Sequence, residues 1–162
     1  MSVATTPQEI DLSEIGYGDR NLVEWETFLT VNLPKIPAGS HEVQKALVDL
    51  NNRYQVAYNC FNELNVILCK KEAEFHETRA TAVNRKLTEF RAQGITKLPA
   101  KELLLEMTLS DADVKAKKDD MTFYDLIRTF FESNKIKLEK SMGLFTTLSY
   151  AVHSSDRMHY KS

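Results

Sequence analysis

The sequence predicts an all-α protein in which two long helices form an antiparallel hairpin, or coiled coil, joined by a short linker helix. Hydrophobic residues make up 43% and charged residues 27% of the 162 residues, as in ordinary soluble proteins. Three of the four prolines (Pro7, Pro34 and Pro37) lie within the first forty residues, so only Pro99 interrupts the remaining chain. Apolar residues then recur with a helical period along two long stretches.

The first 40 residues form an acidic arm that carries two basic and six acidic side chains. The stretch NLVEWETFLTV at 21–31 is its helical candidate and precedes a bend at LPKIP, 33–37. The beginning of the chain lacks the basic start and apolar stretch of a secretory signal. No apolar run approaches the roughly 20 residues of a membrane span. We therefore expect a cytoplasmic protein without membrane contact, in the host cytoplasm if a phage encodes it.

The first long helix is expected to begin after Ser40 as N-cap and to continue to Gln93. Its apolar residues alternate at spacings of four and three, which is typical of a left-handed coiled-coil seam. At about 50 residues the helix would be roughly 75–80 Å long, so it needs a long partner. The seam consists of Val43, Leu47, Leu50, Tyr54, Ala57, Phe61, Leu64, Leu68, Lys71, Phe75, Thr78, Ala82 and Arg85.

The partner is a second long helix that follows a linker at 95–109 with a short helix near Pro99. Ser110 is its expected N-cap, and Asp111 and Asp113 lie in the first turn, where carboxylates suit the helix dipole. The helical pattern continues to about His153. Its seam is Val114, Met121, Tyr124, Phe131, Leu138, Met142, Phe145 and Val152, and the apolar face is widened by Phe123, Ile127, Phe130 and Leu144.

This apolar face is wider than one partner helix can cover. Either the N-terminal arm packs on it or other subunits do, and a homo-oligomer is the simpler solution. The expected contacts between subunits are Phe130, Phe131, Leu138, Met142, Phe145, Leu148 and Val152. The predicted organisation is an acidic arm at 1–40, a helical hairpin domain at 41–155 and a basic tail at 156–162.

Motifs of catalysis and cofactor binding are absent from the sequence. GxxxxGK[ST], GxGxxG, HExxH and GxSxG do not occur. Glu72 and His76 could share a helix face, but the second such pair that a two-metal bundle needs is missing. Cys60 and Cys69 lie about 13 Å apart along one predicted helix, too far for a disulfide with each other. We expect a non-enzymatic protein with reduced thiols and neither cofactor nor metal.

Basic residues concentrate at the end of the first long helix, although the formal net charge is only −2. Four cations lie within thirteen residues that contain one anion, Glu89. They either cap the helix before Gly94, contact phosphate or dock a partner protein. Phe90 among them either stacks on an exposed base or belongs to the core. The four cations are Arg79, Arg85, Lys86 and Arg91.

A second basic group lies near the end of the chain. Lys137 and Lys140 share a helix face, with Lys135 offset from them. Arg157, His159 and Lys161 follow in the tail. The group is either a solvated flank of the coiled coil or a further contact for DNA, and Lys137 and Lys140 are its candidate contacts.

The order of these motifs resembles the recombination mediator proteins of large tailed phages, the UvsY type. The motifs are NL and LPKIP in the arm, RKLTEFRAQG at the end of a long helix, SDADV before a second one, and a basic helix with an aromatic tail. The resemblance spans roughly residues 19–155. It implies a non-enzymatic, homo-oligomeric helical ring that binds single-stranded DNA. Its partners would be a RecA-like recombinase and the single-strand binding protein that the recombinase replaces.

In that family the basic residues before the glycine contact DNA, and they map onto Arg85, Lys86 and Arg91. Arg79 joins them on charge alone. The alternative function is a helical coiled-coil adaptor, or a phage anti-defence inhibitor, that docks a protein without binding DNA. In that case the basic residues are solvated flanks and the acidic arm mimics nucleic acid.

Overall fold

The computed structural model describes residues 10–35 and 39–159, and most of this part is helical. The elements are β1 (Gly16–Tyr17), β2 (Arg20–Asn21), α1 (Leu22–Leu29), α2 (Ser40–Ala92), α3 (Lys101–Met107), a 3-10 turn (Thr108–Ser110) and α4 (Ala112–His159). The two short strands pair antiparallel and are the only strands in the described ranges. The all-α prediction is confirmed. The predicted features at 1–9, 36–38 and 160–162 lie outside the described residues.

Helix α1 begins where the sequence predicts because Asn21 caps it. The Asn21 side chain accepts the backbone N–H of Glu24, and the Glu24 carboxylate accepts the backbone N–H of Asn21, both at 2.9 Å. This reciprocal pair is a capping box, which satisfies two N–H groups that a helix start leaves without partners. The helix ends at Leu29, before the predicted limit at 31, because Thr30 is already extended at φ −76° and ψ 124°.

Helix α2 is the long uninterrupted helix that the sequence predicts. Ser40 is its first residue rather than the residue before it, and the Glu42 carboxylate accepts the Gly39 N–H at 3.1 Å. The helix ends through a Schellman motif, in which Ile95 N–H donates to the Phe90 carbonyl and Gly94 N–H to the Arg91 carbonyl, both at 3.0 Å. Gly94 has φ +75°, a conformation that glycine adopts at little cost.

The start of α4 corrects one prediction, since its N-cap is Asp111 and not Ser110. Asp111 Oδ1 accepts the backbone N–H groups of Asp113 at 3.0 Å and Val114 at 3.4 Å. Ser110 ends the preceding 3-10 turn, where its hydroxyl donates to the Met107 carbonyl at 2.9 Å. The Ser110 hydroxyl is therefore already bonded within the 3-10 turn, and Asp111 caps α4 instead. The negative charge of Asp111 also suits the helix dipole.

The chain divides into two compact units. The arm unit comprises the described residues of 10–59 and 130–159, and the turn unit comprises 60–129. Helices α2 and α4 each contribute to both units. Seam positions of α2 from Val43 to Ala82 are all buried or half-buried, and only Arg85 at the end is exposed. The 3.5-residue period therefore identified most of the α2 residues that are removed from water, while Ala46 and Cys60 are buried outside the predicted seam.

In the arm unit the N-terminal arm packs on α4 through aromatic rings around Phe131. Phe131 is fully buried, and its ring centroid lies 5.5 Å from that of Tyr17 and 5.2 Å from that of Trp25. Both contacts are edge-to-face, the arrangement that aromatic quadrupoles favour. The Trp25 indole N–H donates to the Tyr17 carbonyl at 2.8 Å. The arm therefore covers part of the wide apolar face of α4.

In the turn unit, α2 and α4 meet around a buried apolar cluster. Phe75 and Ala82 of α2 pack with Val114 of α4, and Met121 lies against them. Ion pairs give the direction of the two segments, because Lys71, Glu74 and Arg85 pair with Asp120, Lys117 and Asp111, respectively, so the segments run antiparallel. The buried cluster includes seam residues of both helices.

Ion pairs flank this cluster. Lys71 lies 2.8 Å from Asp120, and Lys117 lies 2.8 Å from Glu74. The hydrogen bond from Lys71 to Asp120 raises the pKa of Lys71, and the hydrogen bond from Lys117 lowers the pKa of Glu74. Both shifts favour the charged forms of the two side chains.

Phe131→Ala should lower the free energy of unfolding by about 3–5 kcal/mol, because it leaves a cavity at a fully buried site. Denaturant unfolding followed by circular dichroism measures the loss. Leu144→Ala is the control, since Leu144 is 57% exposed on the same helix and should change stability by less than about 0.5 kcal/mol. Equal stability of the two variants would contradict the packing of the arm on α4.

Candidate nucleic-acid interface

Arg85 joins the end of α2 to the start of α4 within the turn unit. Its terminal nitrogen lies 2.8 Å from Oδ2 of Asp111, the residue whose other oxygen caps α4. The Arg85 side chain is 53% exposed, whereas that of Asp111 is 19% exposed. The arginine is therefore largely in solvent while it holds a carboxylate that is mostly covered.

Arg79 is turned toward protein. Its terminal nitrogen donates to the Leu105 carbonyl of α3 at 3.2 Å, and its guanidinium carbon lies 5.6 Å from the Phe75 ring centroid. Its Nε is buried and has no hydrogen-bond partner among the residues described. Arg79 thus holds α3 against α2, and of the four predicted cations of α2 it is the one turned inward.

Lys86 and Arg91 differ in whether an acidic side chain neutralises their positive charge. Lys86 Nζ lies 3.0 Å from the Glu89 carboxylate one turn later, and the lysine side chain is 37% exposed. Arg91 is exposed and forms no ion pair within the described ranges. Arg91 is therefore the predicted contact at this helix end that is already available to an anion.

Arg85 and Lys86 remain candidate phosphate contacts although each of them forms an ion pair. Exposed pairs contribute only about 0–1 kcal/mol to stability, because water screens them and the side chains lose freedom. A phosphate offers the same charge and more acceptor oxygens, and arginine binds it through two parallel hydrogen bonds. Lys86 can therefore exchange its carboxylate for a phosphate at little cost. For Arg85 the exchange costs more, because it leaves the mostly covered Asp111 carboxylate without its cation.

Two cations beyond the glycine were missed by the sequence analysis. Lys97 and Lys101 are exposed and form no ion pair with any residue in the part of the chain that the structure describes. Together with Arg91 they give the stretch 91–101 three basic and no acidic residues. Continuing the charge count past Gly94 would have found them. Exposed apolar side chains accompany them at Ile95 and Leu98.

The remaining predicted contacts lie in the arm unit. Lys137 and Lys140 are exposed on α4, and neither forms an ion pair within 10–35 or 39–159. Lys137 lines a cavity of about 190 Å³ together with Glu26 and Asn134. Both lysines can therefore bind an anion without first breaking an ion pair.

The residues predicted to join subunits fall into two groups. Phe131, Leu138 and Phe145 are buried by their own chain and have almost no surface left for another subunit. The other predicted residues, Phe130, Met142, Leu148 and Val152, are half-buried. The large apolar residues most exposed on this part of α4 are instead Ile136, Leu144 and Tyr150.

The described ranges also show the state of the thiols and of the possible metal ligands. No group of three or more His, Cys, Asp and Glu residues there could hold a metal ion. Cys60 and Cys69 are free, and burial raises the pKa of the Cys60 thiol to about 11, which keeps it protonated at neutral pH. Within the same ranges, no helix is long and apolar enough to cross a membrane.

A comparison with protein families, curated proteins and solved structures found no match to this chain. The site is therefore interpreted from its own residues. Guanidinium and ammonium groups at the end of α2, in the following turn and on α4 can bind carboxylates or phosphates.

Asp111→Ala should lower the free energy of unfolding by about 0.5–2 kcal/mol, because it removes the N-cap of α4. Asp111→Asn keeps a capping oxygen and loses only the charge that pairs with Arg85, so its loss should stay below about 1 kcal/mol. Denaturant unfolding measures both, with Asp113→Asn as the control for removing an exposed first-turn charge. Equal losses in the two Asp111 variants would show that the ion pair, not the cap, dominates.

Proposed function

We propose that the protein is a non-enzymatic, single-stranded DNA-binding recombination mediator. It would help load a RecA-like recombinase onto DNA covered by single-strand binding protein, as its resemblance to the UvsY type implies. The observation that carries the proposal is the uncompensated positive charge of Arg91, Lys97 and Lys101, which follow one another around the end of α2 without an acidic residue between them.

The proposed binding is electrostatic and independent of sequence. Cations that neutralise phosphates release the counterions condensed on the strand, and this release supplies most of non-specific affinity. In the proposed homo-oligomer of helical hairpins, each subunit would add another set of the same cations. Contacts that are weak singly then gain affinity through multivalency, while the bases stay accessible to the recombinase.

Arg85 would join these contacts by exchanging its partner. In the free protein it is paired with Asp111, whose position is fixed by capping α4. A phosphate would compete with this carboxylate for the guanidinium. Neutralising Asp111 should then strengthen DNA binding, and neutralising Asp113, for which no ion pair is formed with a described residue, should do so less.

A protein-docking function is the second candidate, and the exposed apolar residues of the turn favour it. Ile95, Leu98, Leu103 and Leu109 are each between 37% and 50% exposed, close in sequence to the cations. Apolar and basic side chains together suit an acidic, amphipathic protein segment. The protein would then be a helical coiled-coil adaptor, or a phage anti-defence inhibitor, that acts without DNA.

The first test is the salt dependence of single-stranded DNA binding, measured by anisotropy of a labelled oligonucleotide. The wild type should lose affinity steeply as salt rises, and Arg85→Ala with Lys86→Ala should reduce the slope of log K against log salt by roughly 1.4, about 0.7 for each lost contact. Lys70→Ala with Lys118→Ala removes the same charge from exposed positions in the turn unit and should change the slope less.

Asp111→Asn should raise the affinity and Asp113→Asn should raise it less, since only the first releases Arg85. No binding by the wild type at low salt would rule out the DNA function and leave protein docking. Equal effects of the two cation pairs would mean that net charge, not the end of α2, governs binding.

The second test is the mass in solution. Light scattering should give a multiple of the 18.6 kDa subunit mass. Met142→Glu should lower this mass, because Met142 is a half-buried residue of the predicted contact, and helical content should be retained. Thr147→Glu adds the same charge at an exposed position and is the control. A wild-type monomer at the concentrations used for DNA binding would contradict the multivalent mechanism.

A further inference from the structure

Two arginines lie over one phenyl ring in the arm unit. The guanidinium carbon of Arg20, from β2, lies 4.3 Å from the ring centroid of Phe28, and that of Arg53, from α2, lies 4.0 Å from it. Arg20 also lies 4.9 Å from the ring centroid of Trp25. Two consecutive elements of the arm and a helix that follows them therefore bring two positive charges to one place.

Among the described residues, the hydrogen-bond donors of both arginines find no acceptor. Neither guanidinium forms an ion pair or a hydrogen bond with a residue in the described ranges, although Asp49 lies one turn before Arg53 on α2. A guanidinium stacks on a ring through its face, while its five N–H donors lie in its plane and point outward from the edge. A guanidinium that lies over the Phe28 ring can therefore still donate to an anion from its outer edge.

The positive charges of Arg20 and Arg53 lie close together without an acidic partner among the described residues. Both guanidinium carbons lie within 4.3 Å of one centroid, so they are at most about 8.3 Å apart. Like charges at this separation repel each other, and the repulsion is greater near protein than in bulk water. An anion that accepts from both arginines would replace this repulsion with two attractions. Phosphate suits the role because it matches the bidentate geometry of arginine.

A pair of stacked tyrosines follows directly on α2. The rings of Tyr54 and Tyr58 have centroids 6.0 Å apart and an interplanar angle of 23°, and Tyr58 is 41% exposed. Tyr58 lies five residues after Arg53, about 7.5 Å further along the helix axis and about 140° around it. Cations that hold the backbone and an exposed ring that stacks on a base are the combination with which proteins bind single strands, and a flexible strand can pass from one to the other.

We infer that Arg20 and Arg53 form a phosphate clamp, and Tyr58, further along α2, a base platform, for single-stranded nucleic acid. This site lies in the arm unit and is additional to the cations of the turn unit. The inference rests on the proposed DNA-binding function and names a second surface for it. The ring of Phe28 positions both guanidinium groups but does not itself contact the strand.

The test measures single-stranded DNA binding against salt for three variants of the full chain. Arg20→Gln with Arg53→Gln should reduce the slope of log K against log salt by roughly 1.4. Arg20→Lys with Arg53→Lys keeps the charge but loses the bidentate donors, so it should weaken binding with little change in slope. Tyr58→Ala should weaken binding roughly 5- to 150-fold with the slope unchanged.

Each variant has a matched control. Lys70→Gln with Lys118→Gln removes two exposed charges elsewhere, and Tyr150→Ala removes a tyrosine that is 75% exposed on α4 of the same unit. Trp25 is the only tryptophan, and it lies against Phe131, so its emission reports whether the arm remains packed. If Arg20→Gln with Arg53→Gln alters this emission, the clamp is tested by Arg20→Lys with Arg53→Lys and by Tyr58→Ala.

The outcomes separate this inference from the proposed function. A wild type that does not bind DNA overturns both. A wild type that binds, and that responds to Arg85→Ala with Lys86→Ala but neither to the arginine variants nor to Tyr58→Ala, overturns the clamp alone. Polyglutamate that competes as well as the oligonucleotide at equal charge would also overturn it, because the clamp would then select carboxylates.

Discussion

The edge-to-face contacts that Tyr17 and Trp25 make with the buried Phe131 are what the arm unit depends on. A segment of about twenty residues with two tiny strands and one short helix buries too little to order itself alone. Its aromatic side chains gain a partner on α4, and the apolar face of α4 gains cover. Because these contacts fix the arm, Arg20 and Phe28 reach the side of α2 that carries Arg53.

Asp111 has a comparable role in the turn unit, because its two oxygens serve two helices. One oxygen satisfies the N–H groups that begin α4, and the other holds the arginine near the end of α2. The cap fixes the carboxylate, and the carboxylate then fixes the guanidinium. The distribution of charge at this end of the unit therefore follows from how a helix starts, as well as from how many basic residues lie there.

Much of the architecture could be predicted from the sequence, because periodicity and caps are local signals. The seam positions of α2 and the end at Gly94 follow from spacing and from one glycine. What covers Phe131 could not be predicted, since an apolar position looks the same whether the arm or another subunit covers it. Arg79 and Arg85 count equally as charges, yet only the fold turns the first toward a carbonyl and leaves the second in solvent.

The Schellman motif at Gly94 also affects the electrostatic field that an approaching anion meets. The carboxyl end of a helix carries a partial negative charge on its unsatisfied carbonyls, which repels phosphate. Here the carbonyls of Glu89, Phe90 and Arg91 already accept N–H groups from Gln93, Ile95 and Gly94. These bonds offset part of that negative end. Because these carbonyls are already bonded, a few side-chain cations can make the local electrostatic potential positive. In a frayed terminus the free carbonyls would oppose them.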